Sequence, residues 1–422
     1  MKSAQKRSPR TLGCAIVIIC VTILSPHRGP AHAADGLAPT PLLETGKPVD
    51  WWFVFKFNTA SFPSCANGGV RACIFGDDQP QNYKNGFSQQ FAFASSDHRS
   101  LKGGNTCIGD TLQDPVGATF DQVYNGSYHY VIWNDQFYND PDLPACNGQP
   151  FCDTPWAHSK GMLAWNDAGE GFVLQVTTPS WPAAGSKNFP RENDGNTLGC
   201  VSDNNVKVSQ HFFSLKLTKD DVVKVLKALQ NASVVTDHNI HQIVNNGGPA
   251  DIQELVQGLG KKSVSKTVTK DTLSSGVQLI SKPSRLQVPP WQMVSAVLGG
   301  VSLRTATWWS RNKIPTTDGE TTVTCWDDAL GPPGPVEIAI SGQWHGTKFG
   351  LRGGNSKDGN HAKIGVTTNG NLSIFGDMNQ EGALSGPDCT LSQNPRGGLF
   401  YVVDDEILAA EVKSLIGGDT AP

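Results

Sequence analysis

Two short steps, His158-Ser159-Lys160 and His361-Ala362-Lys363, stand about two hundred residues apart and open the same frame: strand, polar turn, strand, polar return. In the second copy, His361-Ala-Lys-Ile-Gly-Val-Thr-Thr leads into Asn369-Gly370 and then Asn371-Leu-Ser-Ile-Phe-Gly-Asp-Met-Asn379. Asn-Gly between two such runs predicts a hairpin, because both residues accept the positive φ of a type I′ turn. In the first copy, His158-Ser-Lys-Gly-Met-Leu-Ala-Trp meets Asn166-Asp-Ala-Gly-Glu-Gly171 and then Phe172-Val-Leu-Gln-Val-Thr-Thr-Pro179. Residues two apart on a strand share a face, so each imidazole is expected beside its own ammonium. That pairing suits a phosphate: the cation clamps the anion while the imidazole attacks it or moves a proton.

The frame recurs within a larger order of strand, loops, His-x-Lys hairpin and helix, seen once before residue 235 and in shorter form after about residue 290. Many Gly, Pro and Trp with few long periodic helices predict an α/β mixture of sheets flanked by helices. Two related halves about a pseudo-twofold axis would bring both histidines to one cleft. Val49 to Lys56, Tyr128 to Trp133, Val336 to Ile340 and Leu399 to Val403 read as strands, and residues 58–122 as long, stapled loops. Thr218-Lys-Asp-Asp221 before Val222, Val225, Leu226 and Leu229 reads as a capping box opening an amphipathic helix. Ala250 to Leu259 and Glu406 to Ile416 read as further helices, and Lys261 to Lys270 as a solvated basic segment.

The first 33 residues have the form of a secretory signal: Lys2, Lys6, Arg7 and Arg10, an apolar run from Leu12 to Leu24, and the small-x-small site Ala31-His32-Ala33. The apolar run is short for a membrane span, so an exported chain, secreted or periplasmic and free of the membrane, is expected. Of 34 Lys and Arg, five lie in that segment, which holds no acidic residue, so 29 face 38 Asp and Glu afterwards and the net charge is about −9. Such a chain is no general nucleic-acid coat; any polyanion must be held by a local basic channel. Eight cysteines remain: Cys65, Cys73, Cys107, Cys146, Cys152, Cys200, Cys325 and Cys389. An even number in an exported chain argues for disulfides. Zinc would need a tight Cys pair or a His at ligand spacing, and the sequence offers neither. The expected organisation is a signal peptide over 1–33, a first half over 34–235, a connecting helical and basic segment over 236–290 and a second half over 291–422.

These stretches together resemble the deoxyribonuclease II family, a branch of the phospholipase D-like phosphodiesterases. Val49-Asp-Trp-Trp-Phe resembles the family's start of the mature domain, Trp133-Asn-Asp-Gln136 its Tyr-Asn-Asp-Gln, and His158-Ser-Lys-Gly161 its His-Thr-Lys-Gly. Gly195-Asn-Thr-Leu-Gly-Cys-Val201 is similar to its Gly-Gln-Thr-Leu-x-Cys-Val, and His361-Ala-Lys363 with Gly376-Asp-Met-Asn379 matches most closely. The resemblance implies a phospholipase D-like pseudo-dimer in one chain and a DNA endonuclease that needs neither metal nor cofactor. It also implies 3′-phosphate and 5′-hydroxyl ends, an acidic optimum, and a disulfide between Cys325 and Cys389. His158 is then the expected nucleophile and His361 the acid, with Lys160 and Lys363 neutralising the non-bridging oxygens. Asn379, Thr177 or Thr178, and Asn134 are the expected positioning residues. A turn centred on Asn369-Gly370 pairs His361 with Met378, so Asn379 reaches the site only past the strand end or through a bulge.

The departures matter as well. Val176-Thr-Thr-Pro179 stands where the family often has His-Ser-Val-Pro, and Trp165 and Thr368 stand where the superfamily has an Asp five residues after the Lys. A carboxylate serving the imidazoles must then come from elsewhere. The family's early cysteine is also missing, so Cys200 needs another partner. His98, His129, His211, His238, His241 and His345 carry no motif and read as surface or packed residues. Two other functions fit the same scaffold: a phosphodiesterase acting on a lipid or other small phosphodiester, and an inactive binding protein. Oligomeric state stays open, a homodimer included.

Overall fold

The computed structural model describes residues 36–63, 90–109, 111–192, 207–310 and 313–422, with Met1 and Asn196. Residues 2–35, where the signal segment is expected, Cys65, Cys73, Cys200 and most of the Gly195–Val201 motif lie outside the described residues.

Trp51-Trp-Phe-Val-Phe-Lys56 is apolar on both faces, so it suits a strand covered from both sides. It forms β1 (Trp51–Lys56), every residue of which is buried. β1 pairs antiparallel with β2 (Phe91–Ser95) and β7 (Gln210–Leu217). With β3 (His98–Gly103), β4 (His129–Asn134), β5 (Lys160–Trp165), β6 (Gly171–Val176) and β8 (Val244–Asn245), they make an eight-stranded sheet of order β3-β2-β1-β7-β6-β5-β4-β8. The second sheet draws on β9 (Thr269–Thr272), β10 (Gln278–Lys282), β11 (Leu303–Ala306), β12 (Val336–Ala339), β15 (Ile364–Thr367), β16 (Leu372–Gly376), β17 (Gly398–Asp404) and β18 (Thr420–Ala421). Its order is β18-β12-β11-β15-β16-β17-β10-β9, and a separate hairpin joins β13 (Ser341–Trp344) to β14 (Thr347–Gly350). The chain is thus the mixed α/β protein that its sequence predicts.

Among the described residues, five α-helices accompany the sheets. α1 (Pro115–Tyr124) starts on Asp114, whose carboxylate accepts from Gly117 N at 2.8 Å, with proline in its first turn where no backbone donor is needed. This helix, with β2 and β3, corrects the expectation of loops through 58–122; the Asp-x-x-Gly cap and Pro115 were the signals passed over. α2 (Lys219–Ala232) opens on the expected capping box of Thr218 and Asp221. α3 (Ala250–Gln257), α4 (Pro290–Val297) and α5 (Glu406–Leu415) complete the set. The lysines of 261–270 are solvent-exposed, and the end of that segment becomes edge strand β9.

The two sheets share a connectivity. β1-α1-β4-β5-β6-β7-α2 in the first is matched by β10-α4-β11-β15-β16-β17-α5 in the second. The strands lie in the orders β1-β7-β6-β5-β4 and β10-β17-β16-β15-β11, every neighbouring pair antiparallel. Rings join the sheets: Phe375 of β16 stacks on Phe53 of β1 at 4.4 Å and on Phe213 of β7 at 4.8 Å. α2 packs on β10 and β17 of the second sheet as well as on β6 and β7 of the first. The hairpin register centres on Asn369-Gly370, with Val366 opposite Ser373. Neither turn residue takes a positive φ, so it is not the type I′ turn expected. Thr367 Oγ1 instead accepts from Leu372 N at 3.1 Å and closes a wider loop.

Candidate active site

The start of β5 carries His158 and Lys160, and the residues just before β15 carry His361 and Lys363. A reciprocal pair of backbone hydrogen bonds draws them together. His158 N–H donates to Gly397 O (2.9 Å) beside the start of β17, and His361 N–H donates to Ser209 O (2.8 Å) beside the start of β7. Each histidine is therefore anchored on the sheet that does not contain its hairpin. A buried lysine holds each anchor from behind. Lys56, the last residue of β1, donates to Val208 O at 2.8 Å, and Lys282, the last of β10, donates to Arg396 O at 2.7 Å. Those two carbonyls stand one residue before Ser209 and Gly397.

The four motif residues line one cavity of about 110 Å³, together with Gln136, Tyr138, Thr177, Pro179, Trp308, Asn355 and Asn379. The imidazoles are partly open to it, while Lys160 and Lys363 are buried. Asn379 reaches the cavity three residues past the end of β16, and its Oδ1 is buried without a hydrogen-bond partner. Thr178 and Asn134 do not line it, which corrects their expected place. Thr178 Oγ1 donates to Trp181 O at 3.4 Å, and Asn134 braces the same turn through Trp181 O at 3.3 Å while accepting from Gln136 N. Thr177, the other threonine considered, does line it, with its hydroxyl donated to Gln210 Oε1 at 2.6 Å.

Hydrogen bonds fix the rings. His158 Nδ1 lies 2.7 Å from Asp377 O. A carbonyl only accepts, so Nδ1 carries the proton and the neutral ring keeps its lone pair on Nε2. His361 has the opposite arrangement: Nε2 lies 2.8 Å from Asn355 Oδ1, an acceptor, so Nε2 carries the proton. Trp308 stands edge-on to the His361 ring at 6.0 Å. Beneath them, a buried network links the two motifs. Lys363 N–H donates to His211 Nδ1 (3.1 Å), His211 Nε2 faces Gln175 Oε1 (3.5 Å), and Gln175 Nε2 donates to Asp377 Oδ1 (3.0 Å). Ser159 Oγ and Leu399 N donate to Asp377 Oδ2 at 2.6 and 3.0 Å. Asp377, carried by the second half, therefore holds the first motif at both its backbone and its side chain.

The cations are arranged unequally. Lys160 donates to Asp135 Oδ1 at 2.5 Å, and Arg396 donates to Asp135 Oδ2 at 2.8 Å. Burial alone would raise the Asp135 carboxyl, but Lys160, His158 and Arg396 hold it below the usual range, so it stays ionised. The ammonium of Lys363 has no carboxylate contact and donates to His361 O at 2.5 Å. Burial, then the charge of Lys160, lowers its pKa to about 7. Burial raises Asp377 to about 7 against its hydrogen bonds. Both imidazoles are held well below their ordinary value: His158 by burial and Lys160, His361 by burial and the charges of Lys363, Lys160 and Lys56. A site that loads positive charge around two imidazoles is adapted to an anion, whose arrival raises both pKa values.

The family model for deoxyribonuclease II matches residues 40–418, a span that takes in both sheets and both hairpins. The chain belongs to the deoxyribonuclease II family. This enzyme is accordingly a hydrolase of DNA phosphodiesters, and DNA is its substrate. No curated relative matches it. For this deoxyribonuclease II-family chain the lipid-specific and inactive alternatives drop away. Among the described residues, Cys146–Cys152 and Cys325–Cys389 are disulfides, the second being the pair expected from the resemblance. Cys107 is also disulfide-bonded. Such bonds persist in an oxidising compartment. No described helix is long and apolar enough to cross a membrane.

Sequence reasoning missed the supporting residues. Asp377 sat inside the quoted Gly376–Asn379 motif without a role, while Asp135 was read, with Asn134, as a residue that shapes the cleft or forms a turn, not as the partner of Lys160 and Arg396. His211 is packed, as read, yet it is fully buried and carries the backbone of Lys363. Gln175, Lys56, Lys282 and Arg396 had no signal beyond polarity in apolar surroundings.

Proposed function

We propose that the enzyme is an exported, metal-independent endonuclease in which His158 is the nucleophile and His361 the general acid. The carrying observation is that both imidazoles line one cavity with Lys160 and Lys363, and that Asp377 O holds the proton of His158 on Nδ1, which leaves its Nε2 bare. The scissile phosphate enters the cavity with its non-bridging oxygens facing Lys160 and Lys363 and the Asn379 amide. The Nε2 lone pair of His158 forms the P–N bond as the P–O5′ bond breaks, and His361 gives its proton to O5′. Water then attacks phosphorus and loses its proton to His361, and P–N cleavage returns His158. The products carry 3′-phosphate and 5′-hydroxyl ends.

The shared connectivity of the two sheets and the paired anchors of the histidines support a phospholipase D-like pseudo-dimer within one chain. The basic–apolar–small pattern of residues 1–33 supports export. Plasmid cleavage in excess EDTA tests the reading, combined with end analysis and base-stable, acid-labile labelling of His158 by end-labelled oligonucleotide. Unchanged cleavage, 3′-phosphate ends and a label lost in His158→Ala are expected. Loss of cleavage in EDTA with recovery on adding a divalent ion would move the enzyme to another mechanism.

A further inference from the structure

The catalytic cavity opens into a second hollow of about 370 Å³. The two share Gln136, His158, Trp308 and Asn379, so this hollow begins at the phosphate position, within one nucleotide of it. Its chemistry is different. It contains His158 but not His361, Lys160 or Lys363. Its lining has one cation, Arg396, whose guanidinium is already donated to Asp135 and to the carbonyls of Trp156, Cys152 and Ala157. Asp135, Asp153 and Glu381 also line it, so the hollow repels a phosphate. Two aromatic residues line it, half-buried Trp308 and Phe151, the latter 47 % exposed and standing in solvent without a core to fill. Asn379 points to a ligand independently: the residue is 3 % exposed, and its Oδ1 is buried with no partner in the protein.

We propose that this hollow is a nucleobase subsite, which stacks the base on the 5′ side of the scissile bond and accepts hydrogen bonds from its amino group. It rests on the assignment of His158 and His361 above and deepens it. The nucleotide on the 3′ side departs toward His361, which donates to its O5′. A hollow that touches His158 and not His361 is left for the nucleotide that keeps the phosphate. The rings of Phe151 and Trp308 supply stacking surface, and base–aromatic stacking tolerates any base. The polar wall is less tolerant. Asn379 Oδ1 has no partner, and Glu381, whose Oε1 accepts from Ser310 N and Oγ, keeps Oε2 with only a long contact from Ser392; both acceptors suit the amino groups of cytosine, adenine and guanine. Thymine offers a carbonyl at the position of the cytosine amino group. A buried acceptor facing that carbonyl stays unpaired, and an unpaired buried acceptor costs binding.

The test uses short oligonucleotides with a single phosphodiester, all other linkages being methylphosphonate, and adenine, cytosine, thymine or an abasic sugar immediately 5′ of it. Wild-type kcat/KM is expected to be about tenfold higher for adenine or cytosine than for the abasic sugar, the loss typical of one stacking contact. Thymine should fall between them. Phe151→Ala should lose most of that tenfold preference for adenine and cytosine over the abasic substrate, the remainder coming from Trp308 and the polar wall. Equal wild-type rates on cytosine and abasic substrates overturn the subsite and leave the nuclease reading intact, as does full discrimination retained in Phe151→Ala. Failure of the wild type to cut any of the four overturns the nuclease reading, and the subsite with it.

Discussion

His158 and His361 share a cavity, a lysine each and a depressed pKa, yet their hydrogen-bond partners make them unequal. Asp377 O fixes the proton of His158 on Nδ1, and Asn355 Oδ1 fixes that of His361 on Nε2. In the proposed mechanism nucleophile and acid act on one phosphate, so replacing either with alanine should lower kcat on DNA by roughly 10³-fold or more, and the double variant should lose little beyond that. Near-normal cleavage by either single, folded variant would refute the paired roles. The pH profile follows from the same residues. His158 must be neutral and His361 protonated, and the pKa of each lies below its ordinary value in the free site. Activity should therefore fall as pH rises through the His361 pKa, which bound phosphate brings back upward. It should also fall at low pH, as His158 gains a proton. A bell with its maximum at roughly pH 4.5–6 is expected in initial rates from pH 3 to 9. A monotonic rise to pH 9 would point to hydroxide or metal-bound water as the attacking group.

Elements position these residues through their ends, where β-strands leave backbone groups free to pair elsewhere. The residues entering β17 and β7 supply the carbonyls that hold His158 and His361, and Lys282 and Lys56 fix those segments from β10 and β1. Gly397 is the tightest point in this arrangement. A Cβ there would stand 2.0 Å from Ala232 O at the end of α2, a backbone atom that cannot turn aside. Gly397→Ala must then push the start of β17 away from α2 and carry the His158 anchor with it. The variant should lose about tenfold or more in kcat, since small misplacements of a reacting group are costly. It should also lose roughly 1–3 kcal/mol of stability by denaturant unfolding. Gly386→Ala is the control for the site: it has open space around it, so any backbone strain there should leave kcat unchanged.

Across the whole molecule, the substrate is a polyanion and residues 34–422 carry a net charge of about −9. Attraction must come from the buried lysines of the site and a few local cations, opposed by the field of the rest of the chain. DNA cleavage at subsaturating substrate should fall about tenfold between 50 and 200 mM salt, the decline expected when a few phosphate contacts release counterions. A salt-independent kcat/KM would show that DNA is held by contacts other than phosphate–cation pairs. Fold and charge work together here. Two sheets of like connectivity pack through Phe53, Phe213 and Phe375 and bring two His–Lys pairs to one cavity.

Local chemistry fixed much of this in advance. The capping box of α2, the hairpin that follows each His-x-Lys step, the buried β1 and the Cys325–Cys389 bridge were all legible in the chain. Each depends on residues near in sequence or on a motif matched in order. The sequence also marked both catalytic candidates, but the orienting partner it sought as a carboxylate is instead a backbone carbonyl for His158 and the Asn355 amide for His361. It missed β2, β3 and α1 within 58–122 because their signals, the caps of α1 among them, are weak among Gly and Asn. It gave Asn369-Gly370 a type I′ turn because propensity cannot see that Thr367 Oγ1 closes a wider loop. Thr178 and Asn134 were misplaced for a similar reason: strand parity says which face a residue takes, not which turn its side chain will brace. Only the tertiary structure decided which atom of each ring faces the substrate. That choice depends on Asp377 O, 219 residues from His158, and on partners such as Arg396, 261 residues from Asp135. Such contacts form only when the two sheets dock, and no local pattern encodes them.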